Sequence, residues 1–173
     1  MSDTDLIKLY SARILALAAD IPHAERLTAP QATVKKRSPL CGSTVTVDVV
    51  VEMGRIVAFG QDVKACALGQ AAAAVVGGAA IGRSRAEVER ARDQLRAMLK
   101  EGAPAPDAPF EGLEVLIPAR DYKNRHASIL LALEATAQAM AEAEAQGQPA
   151  ELQTEPLVRP RQDPVEEHEP VGL

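Results

Sequence analysis

The stretch that decides the fold is residues 43–52, STVTVDVVVE, with the pair Met53-Gly54 directly after it. Its β-branched residues alternate in polarity with a period of two, which predicts a half-buried strand with alternate valines toward the core. Gly54 can supply the positive φ of a tight turn, so we expect the chain to return through Arg55–Phe59 as the second strand of an antiparallel hairpin. Residues 61–65 are expected to continue that sheet.

Helical patterns flank this hairpin. A helix over residues 4–19 is predicted before it, followed by a loop over 22–40 that carries the basic triplet Lys35-Lys36-Arg37 and one short strand near 31–34. After it come a small-residue helix, a helix that a Ser84-to-Glu87 capping box begins and Gly102 ends, and a last long helix. The segments predicted after the hairpin are a helix over 66–81, a helix from 84 to Gly102, a linker over 103–109, an extended segment over 113–117 and a helix over 125–145.

This order predicts an α+β fold, a small antiparallel β-sheet with helices packed on one face. We expect one folded domain over residues 1–146. Residues 147–173 are rich in Glu, carry five Pro and have few large apolar side chains, which is typical of an acidic disordered tail.

Composition excludes several classes of function. The formal net charge is −5 and the basic residues form no long stripe, so nucleic acid is not expected as a partner. The run Ala65–Ile81 is at the short limit for a membrane span and contains Gln70, so we interpret it as a buried helix. The first residues lack a basic-then-apolar pattern, and we expect a cytoplasmic protein with reduced thiols.

Three side chains with metal-binding chemistry stand at the starts of elements. Cys41 precedes the first long strand, Cys66 begins the small-residue helix, and His126 lies at the start of the last helix. Thiolates are the ligands that zinc and iron–sulfur clusters prefer, and a thiolate is favoured at a helix N-terminus. The sequence therefore indicates one metal site made by Cys41, Cys66 and His126.

The chain resembles the NifU/IscU-type iron–sulfur cluster assembly scaffold family, SufU-like members included, from Leu9 to about Ala139. The order and spacing of its motifs agree with that family. The residues that carry the resemblance are Leu9-Tyr10-Ser11 in the first helix, Pro39-Leu40-Cys41-Gly42-Ser43 before the long strand, Cys66-Ala67-Leu68-Gly69-Gln70-Ala71 at the head of the small-residue helix, Gly82-Arg83-Ser84 after it, and Arg125-His126-Ala127-Ser128 at the last helix.

The resemblance implies the NifU/IscU N-terminal-domain (SufE/NifU-like) fold and metal ligation by Cys41 and Cys66. Two positions depart from the family pattern: Ser43 stands where the family has Asp, and the third family cysteine is absent. His126 can match the family His, with Ala127 in place of the cysteine, or it can match the cysteine itself. In a third register Ser128 stands at the cysteine position and His126 lies off the site.

The resemblance and the two departures from it imply three candidate functions. The first is a non-enzymatic scaffold or carrier that binds iron or a transient iron–sulfur cluster through Cys41, Cys66 and His126 and hands it to apo-proteins. The second is a SufU-like Zn²⁺-containing sulfur acceptor for a cysteine desulfurase, which would be a sulfur-transfer activity. The third is a degenerate partner that binds no metal, which could pair with a homologous scaffold subunit.

Overall fold

The computed structural model describes residues 10–147 of the 173-residue chain. The predicted order of helices and strands is confirmed there. The elements are α1 (Ala12–Ala19), β1 (Ala32–Arg37), β2 (Thr44–Glu52), β3 (Arg55–Lys64), α2 (Ala67–Ala79), α3 (Arg85–Glu101), a 3₁₀ segment (Glu111–Asp121) and α4 (Lys123–Gln146).

The three strands form one antiparallel sheet in the order β1-β2-β3. Val47 on the central strand lies opposite Val34 on β1 and Gln61 on β3. The β2–β3 turn has positive φ at both of its residues, 52° at Met53 and 75° at Gly54, which matches the right-handed twist of a hairpin. A bulge between Val50 and Val51 shifts the pairing by one residue beyond that point.

The core lies between one face of this sheet and the helices α2 and α4. Val45, Val47 and Val49 of β2 are completely buried, and α4 packs against both β1 and β2. Alanine and leucine dominate the helical side of the core, as a chain without Trp and with two Phe requires. The predicted α+β fold, with helices on one face of a small antiparallel sheet, is confirmed.

The other face of the sheet is also covered, which differs from the half-buried strand that the alternation predicts. Asp48 is fully buried and accepts hydrogen bonds from Arg26, from the backbone N–H of Leu27 at 3.0 Å and from the Thr33 hydroxyl. The ion pair with Arg26 is bidentate, with distances of 2.6 and 3.1 Å. This network fixes the proline-containing segment before β1 across the polar face of the sheet.

Two local predictions are wrong. Lys35-Lys36-Arg37 lie in β1 rather than in a loop, because the strand is longer than the 31–34 predicted and pairs with β2 as far as Thr44. Residues 113–117 belong to the 3₁₀ segment rather than to an extended one, and its apolar side chains pack in the core. The predicted start of the first helix and the tail after Gly147 lie outside the described residues.

The helix boundaries after the hairpin follow the predicted signals. Ser84 Oγ accepts a hydrogen bond from the Glu87 N–H, and Gly102 ends α3 with a φ of 71°. The small-residue run forms α2, which packs against α1 and α4. Among residues 10–147, none of the helices combines the length and the apolar character that a membrane crossing needs.

Candidate functional site

Cys41 lies in the short loop that joins β1 to β2. The loop is closed by two backbone hydrogen bonds, from Ser38 N–H to Ser43 O at 2.8 Å and from Gly42 N–H to Ser38 O at 3.1 Å. Gly42 has a φ of 70°, a conformation that glycine adopts without strain. The loop therefore holds Cys41 partly exposed at the end of the sheet, beside the 74% exposed Leu40.

Cys66 lies at the same end of the sheet because of the strand register. Thr44 at the start of β2 pairs with Lys64 at the end of β3, so the residues just before Thr44 and just after Lys64 are neighbours. Cys66 is the N-cap residue of α2, with extended backbone angles, and its carbonyl accepts the Gln70 N–H at 2.9 Å. Its thiol is free and partly exposed.

Two buried serine hydroxyls join the two thiols. Ser43 Oγ lies 3.2 Å from Cys41 Sγ and accepts a hydrogen bond from Ser128 Oγ at 2.9 Å. Ser128 Oγ in turn lies 3.5 Å from Cys66 Sγ. Ser43 and Ser128 are 4% and 1% exposed. We call these four residues the thiol–hydroxyl cluster.

A close contact between α2 and α4 brings Ser128 into this cluster. A Cβ added to Gly69, in the first turn of α2, would lie 2.5 Å from Ser128 Oγ and 2.9 Å from the Ala65 Cβ. That Cβ would also lie 3.2 Å from the Ser128 backbone oxygen, so a larger side chain there requires the Ser128 hydroxyl to turn and the neighbouring backbone to adjust. Gly69 therefore sets the distance between the Cys66 helix and the helix that carries Ser128.

The environment of Cys41 favours its thiolate. Burial alone would raise the pKa of this thiol, but its hydrogen bonds with the hydroxyls of Ser38, Ser43 and Ser128 and with the Ser43 N–H outweigh that effect and lower the pKa to about 7. A lowered pKa favours the thiolate, which is the form in which a cysteine binds metals or acts as a nucleophile.

The structure brings Cys41 and Cys66 to one site and holds His126 elsewhere. His126 is 4% exposed, and its Nε2 lies 3.0 Å from the carbonyl oxygens of both Ala119 and Arg120. Within residues 10–147, no three His, Cys, Asp or Glu side chains lie close enough together to share a metal ion. Ser128, rather than His126, lies beside the Cys66 thiol.

Two other residues complete the description of the site. Ser38 is fully buried with its Oγ 3.3 Å from Cys41 Sγ, a contact that we did not predict and that only the tight closure of the loop creates. The Asp62 carboxylate lies opposite Thr46 and 3.8 Å from the Lys64 amine. Within the described part of the chain, the side chains that contact the thiols through hydrogen bonds are serines.

Comparisons with known proteins place this geometry in a family. No protein-family model and no curated protein matches the chain. Among solved structures, the N-terminal part of a nitrogen-fixing NifU-like protein from Brucella abortus matches with 40% identity and a TM-score of 0.80, over 82% of this chain and 99% of that one.

A second structure shares the fold at lower identity. A putative iron–sulfur cluster assembly scaffold protein for the SUF system from Fervidobacterium islandicum AW-1 matches with 19% identity and a TM-score of 0.68, over 78% of this chain and 98% of that one. The Brucella match, at 40% identity over nearly the whole of that chain, is the one that shows kinship rather than fold alone. The chain therefore belongs to the NifU/IscU-type family of iron–sulfur cluster assembly scaffolds.

Proposed function

We propose that this protein holds a transient iron–sulfur cluster, or the iron from which one is built, through the thiolates of Cys41 and Cys66. The observation that supports the proposal is the thiol–hydroxyl cluster. It sets two free thiols at one end of the sheet, partly exposed, and lowers the pKa of Cys41 to about 7. Membership in a scaffold family makes the cluster a cargo, so the chain is a scaffold and not an enzyme.

The small number of thiolate ligands favours release of a bound cluster over its long-term storage. A stable cluster commonly has four thiolates, and here the chain offers two, with Ser43 and Ser128 oxygens as much poorer ligands. His126, the third ligand expected from the sequence, has its Nε2 3.0 Å from two backbone carbonyl oxygens, so ligation through Nε2 requires the imidazole to give up these contacts. We infer that the cargo is completed by an external ligand and leaves easily.

The partners that we propose follow from this chemistry. A cysteine desulfurase would supply sulfur, and apo-proteins would receive the finished cluster. A homologous scaffold subunit could supply the missing thiolates. We expect this exchange in the cytoplasm, where both thiols stay reduced. The exposed Leu40 beside Cys41 offers an apolar contact to a partner at the point of transfer.

The test is anaerobic reconstitution with iron and a sulfur donor, followed by assay of iron and acid-labile sulfide. We expect both elements in the natural protein and loss of both in Cys41→Ser and Cys66→Ser, which change one atom each. His126→Gln reports whether the imidazole is a ligand. Ser128→Cys would place a third thiol in the cluster and should prolong cluster lifetime.

The outcomes separate the alternatives. Zinc without sulfide, lost in the Cys66→Ser variant, would favour the sulfur-acceptor function. A natural protein that keeps its fold by circular dichroism and binds neither iron nor zinc would contradict both and leave an interaction partner without metal.

The thiolate character of Cys41 favours the sulfur-acceptor function as the second candidate. The Cys41 thiolate would attack the outer sulfur of a desulfurase persulfide, forming a persulfide on Cys41 and releasing the desulfurase cysteine as a thiolate. No net oxidation is needed. Desulfurase turnover should rise when the natural protein is added and should not rise with Cys41→Ser, and equal turnover with both would contradict it.

A further inference from the structure

A basic groove lies beside the loop that carries Cys41, and it is not used by the function proposed above. Its volume is about 690 Å³. Its floor is apolar, formed by Leu99, Leu130 and Leu131, and Pro39 and Ala127 lie on its side toward the thiols. The charged residues that line it are five cations, Arg37, Arg96, Lys100, Arg120 and Lys123, and one acid, Glu134.

Three of these cations are free to bind an anion. Arg96 pairs with Glu134, and Arg120 donates to the backbone carbonyls of Met98 and Ala103 at 2.7 Å. For Arg37, Lys100 and Lys123, residues 10–147 provide no ion-pair partner. All three side chains are exposed. The groove therefore carries uncompensated positive charge in a protein whose net charge is −5.

A second groove continues the first along α4 toward its C-terminal end. The two share Arg96 and Glu134, and the second is lined further along by Ala137, Gln138 and Ala141 of α4, with Lys36 and Arg92 on its other side. Ala141 is six residues before Gly147, where the described chain ends. The two grooves together therefore lead from Ala141 back to the side of the loop that carries Cys41.

The sequence after Gly147 contains a segment of opposite charge. Residues 163–169 read DPVEEHE, with four carboxylates in seven positions and no Lys or Arg. Val165 supplies an apolar side chain within the same segment. This combination of carboxylates and a small apolar residue is complementary to free cations around a leucine floor.

The length of the chain allows the contact. From Ala127 to Gly147, α4 is about 30 Å long at about 1.5 Å per residue. The residues between Gly147 and Asp163 can span up to about 50 Å when extended, at about 3.3 Å per residue. A chain that reverses at the end of α4 can thus follow the second groove and bring residues 163–169 to the first.

We propose that residues 163–169 of this chain dock intramolecularly in the basic groove formed by Arg37, Lys100 and Lys123. The docked segment lies beside Pro39, two residues from Cys41. Because the contact is electrostatic, salt weakens it.

Carbodiimide cross-linking of the full-length protein tests the proposal directly, since it joins a lysine amine to a carboxylate in contact with it. We expect links from residues 163–169 to Lys100 or Lys123, in monomeric protein, several-fold more frequent than links to Lys35 and Lys64. Those two exposed amines line neither groove and serve as internal controls. The links should fall several-fold at 0.5 M salt.

Two variants and one mixing experiment complete the test. Arg37→Gln, which removes a groove cation but no group that carbodiimide links, should lower the links several-fold, whereas Glu151→Gln with Glu155→Gln, in the same tail, should keep them. Links spread evenly over Lys35 and Lys64, or no links at all, would overturn the proposal. Links formed chiefly between isotopically light and heavy copies would assign the groove to a second molecule's tail and overturn intramolecular docking. None of these results depends on metal or cluster binding.

Discussion

Two buried polar side chains, Ser43 and Asp48, lie five residues apart in the sequence, and the interactions that hold them differ in strength. Asp48, in the middle of β2, is a charged group whose oxygens are held by a guanidinium, a hydroxyl and a backbone N–H at distances up to 3.1 Å. Ser43, just before β2, belongs to a cluster of thiols and hydroxyls with sulfur contacts of 3.2 to 3.5 Å. Charge-assisted bonds are roughly twice as strong as neutral ones, and thiols are weak donors. We therefore expect the Asp48 network to stabilise the fold, whereas the weaker contacts of the thiol–hydroxyl cluster can be replaced by contacts to a ligand.

Breaking the Asp48 network should have the largest effect. Asp48→Ala leaves Arg26 without its partner and releases the segment before β1, so we expect the free energy of unfolding to fall by about 3 kcal/mol. Urea denaturation measures it. Asp62→Asn, which removes a carboxylate from the partly exposed pair with Lys64, is the matched control and should cost less than about 1 kcal/mol. Equal losses of unfolding free energy in Asp48→Ala and Asp62→Asn would contradict the prediction that the buried network contributes more to stability than the exposed pair.

The same network predicts a pH dependence. Burial alone would raise the pKa of Asp48, but the hydrogen bonds from Arg26, Thr33 and Leu27 and the charge of Arg26 lower it below its ordinary value. A carboxyl with a lowered pKa in the folded state stabilises the fold above its unfolded pKa of about 3.9. That stabilisation is lost as pH falls through the lower folded pKa. The decrease in stability below about pH 4 should be smaller in Asp48→Ala than in the natural protein.

The next effect concerns the helix contact that assembles the thiol–hydroxyl cluster. Gly69→Ala puts a Cβ 2.5 Å from Ser128 Oγ and 3.2 Å from the Ser128 backbone oxygen, so the hydroxyl must turn and the backbone must adjust, and we expect a loss of about 1–3 kcal/mol. Gly78→Ala, in the same helix, meets its nearest atom, Pro22 Cγ, at 3.9 Å. It should be neutral or stabilising by up to about 1 kcal/mol, because alanine favours helix. Thermal unfolding of the two variants measures this difference in stability. A Gly69→Ala protein as stable as Gly78→Ala would contradict the prediction that the contact at Gly69 is too close for a Cβ.

Much of this arrangement follows from sequence patterns, and the rest depends on one bulge and one glycine. The Met53-Gly54 turn predicts a hairpin with Glu52 opposite Arg55, which the structure confirms. Continued without interruption, that pairing would put Thr44 opposite Val63. The bulge at Val50/Val51 moves Thr44 to Lys64, and a one-residue shift exchanges the faces of a strand. No sequence pattern marks the bulge, so the sequence does not predict which residue of β2 lies opposite Asp62.

The sequence alone does not determine whether His126 or Ser128 lies beside the thiols, for a similar reason. Both lie near the start of a helix, and which one faces the thiols depends on how α4 rotates against α2. The contact at Gly69 fixes that rotation with Ser128 toward Cys66, and His126 then lies against the 3₁₀ segment. The sequence identified both cysteines and the fold that joins them, but the third member of the site is a property of helix packing.

The smallest expected effect is chemical rather than structural. Ser38→Ala removes the first of the hydroxyls that stabilise the Cys41 thiolate, so the pKa of Cys41 should rise from about 7 toward its ordinary value of 9.0 while stability changes little. The rate of iodoacetamide alkylation against pH, measured in a Cys66→Ser background so that only Cys41 reacts, gives this pKa. Ser128→Ala should shift it in the same direction by less, because the Ser128 hydrogen bond contributes less than that of Ser38. If both variants alkylate with the profile of the parent, the hydroxyls only fill space around the thiol. A larger pKa shift in Ser38→Ala than in Ser128→Ala would instead show that neutral hydroxyls, which contribute little to stability, control the reactivity of the Cys41 thiol. The charged network at Asp48, in contrast, contributes to stability and does not contact the thiols.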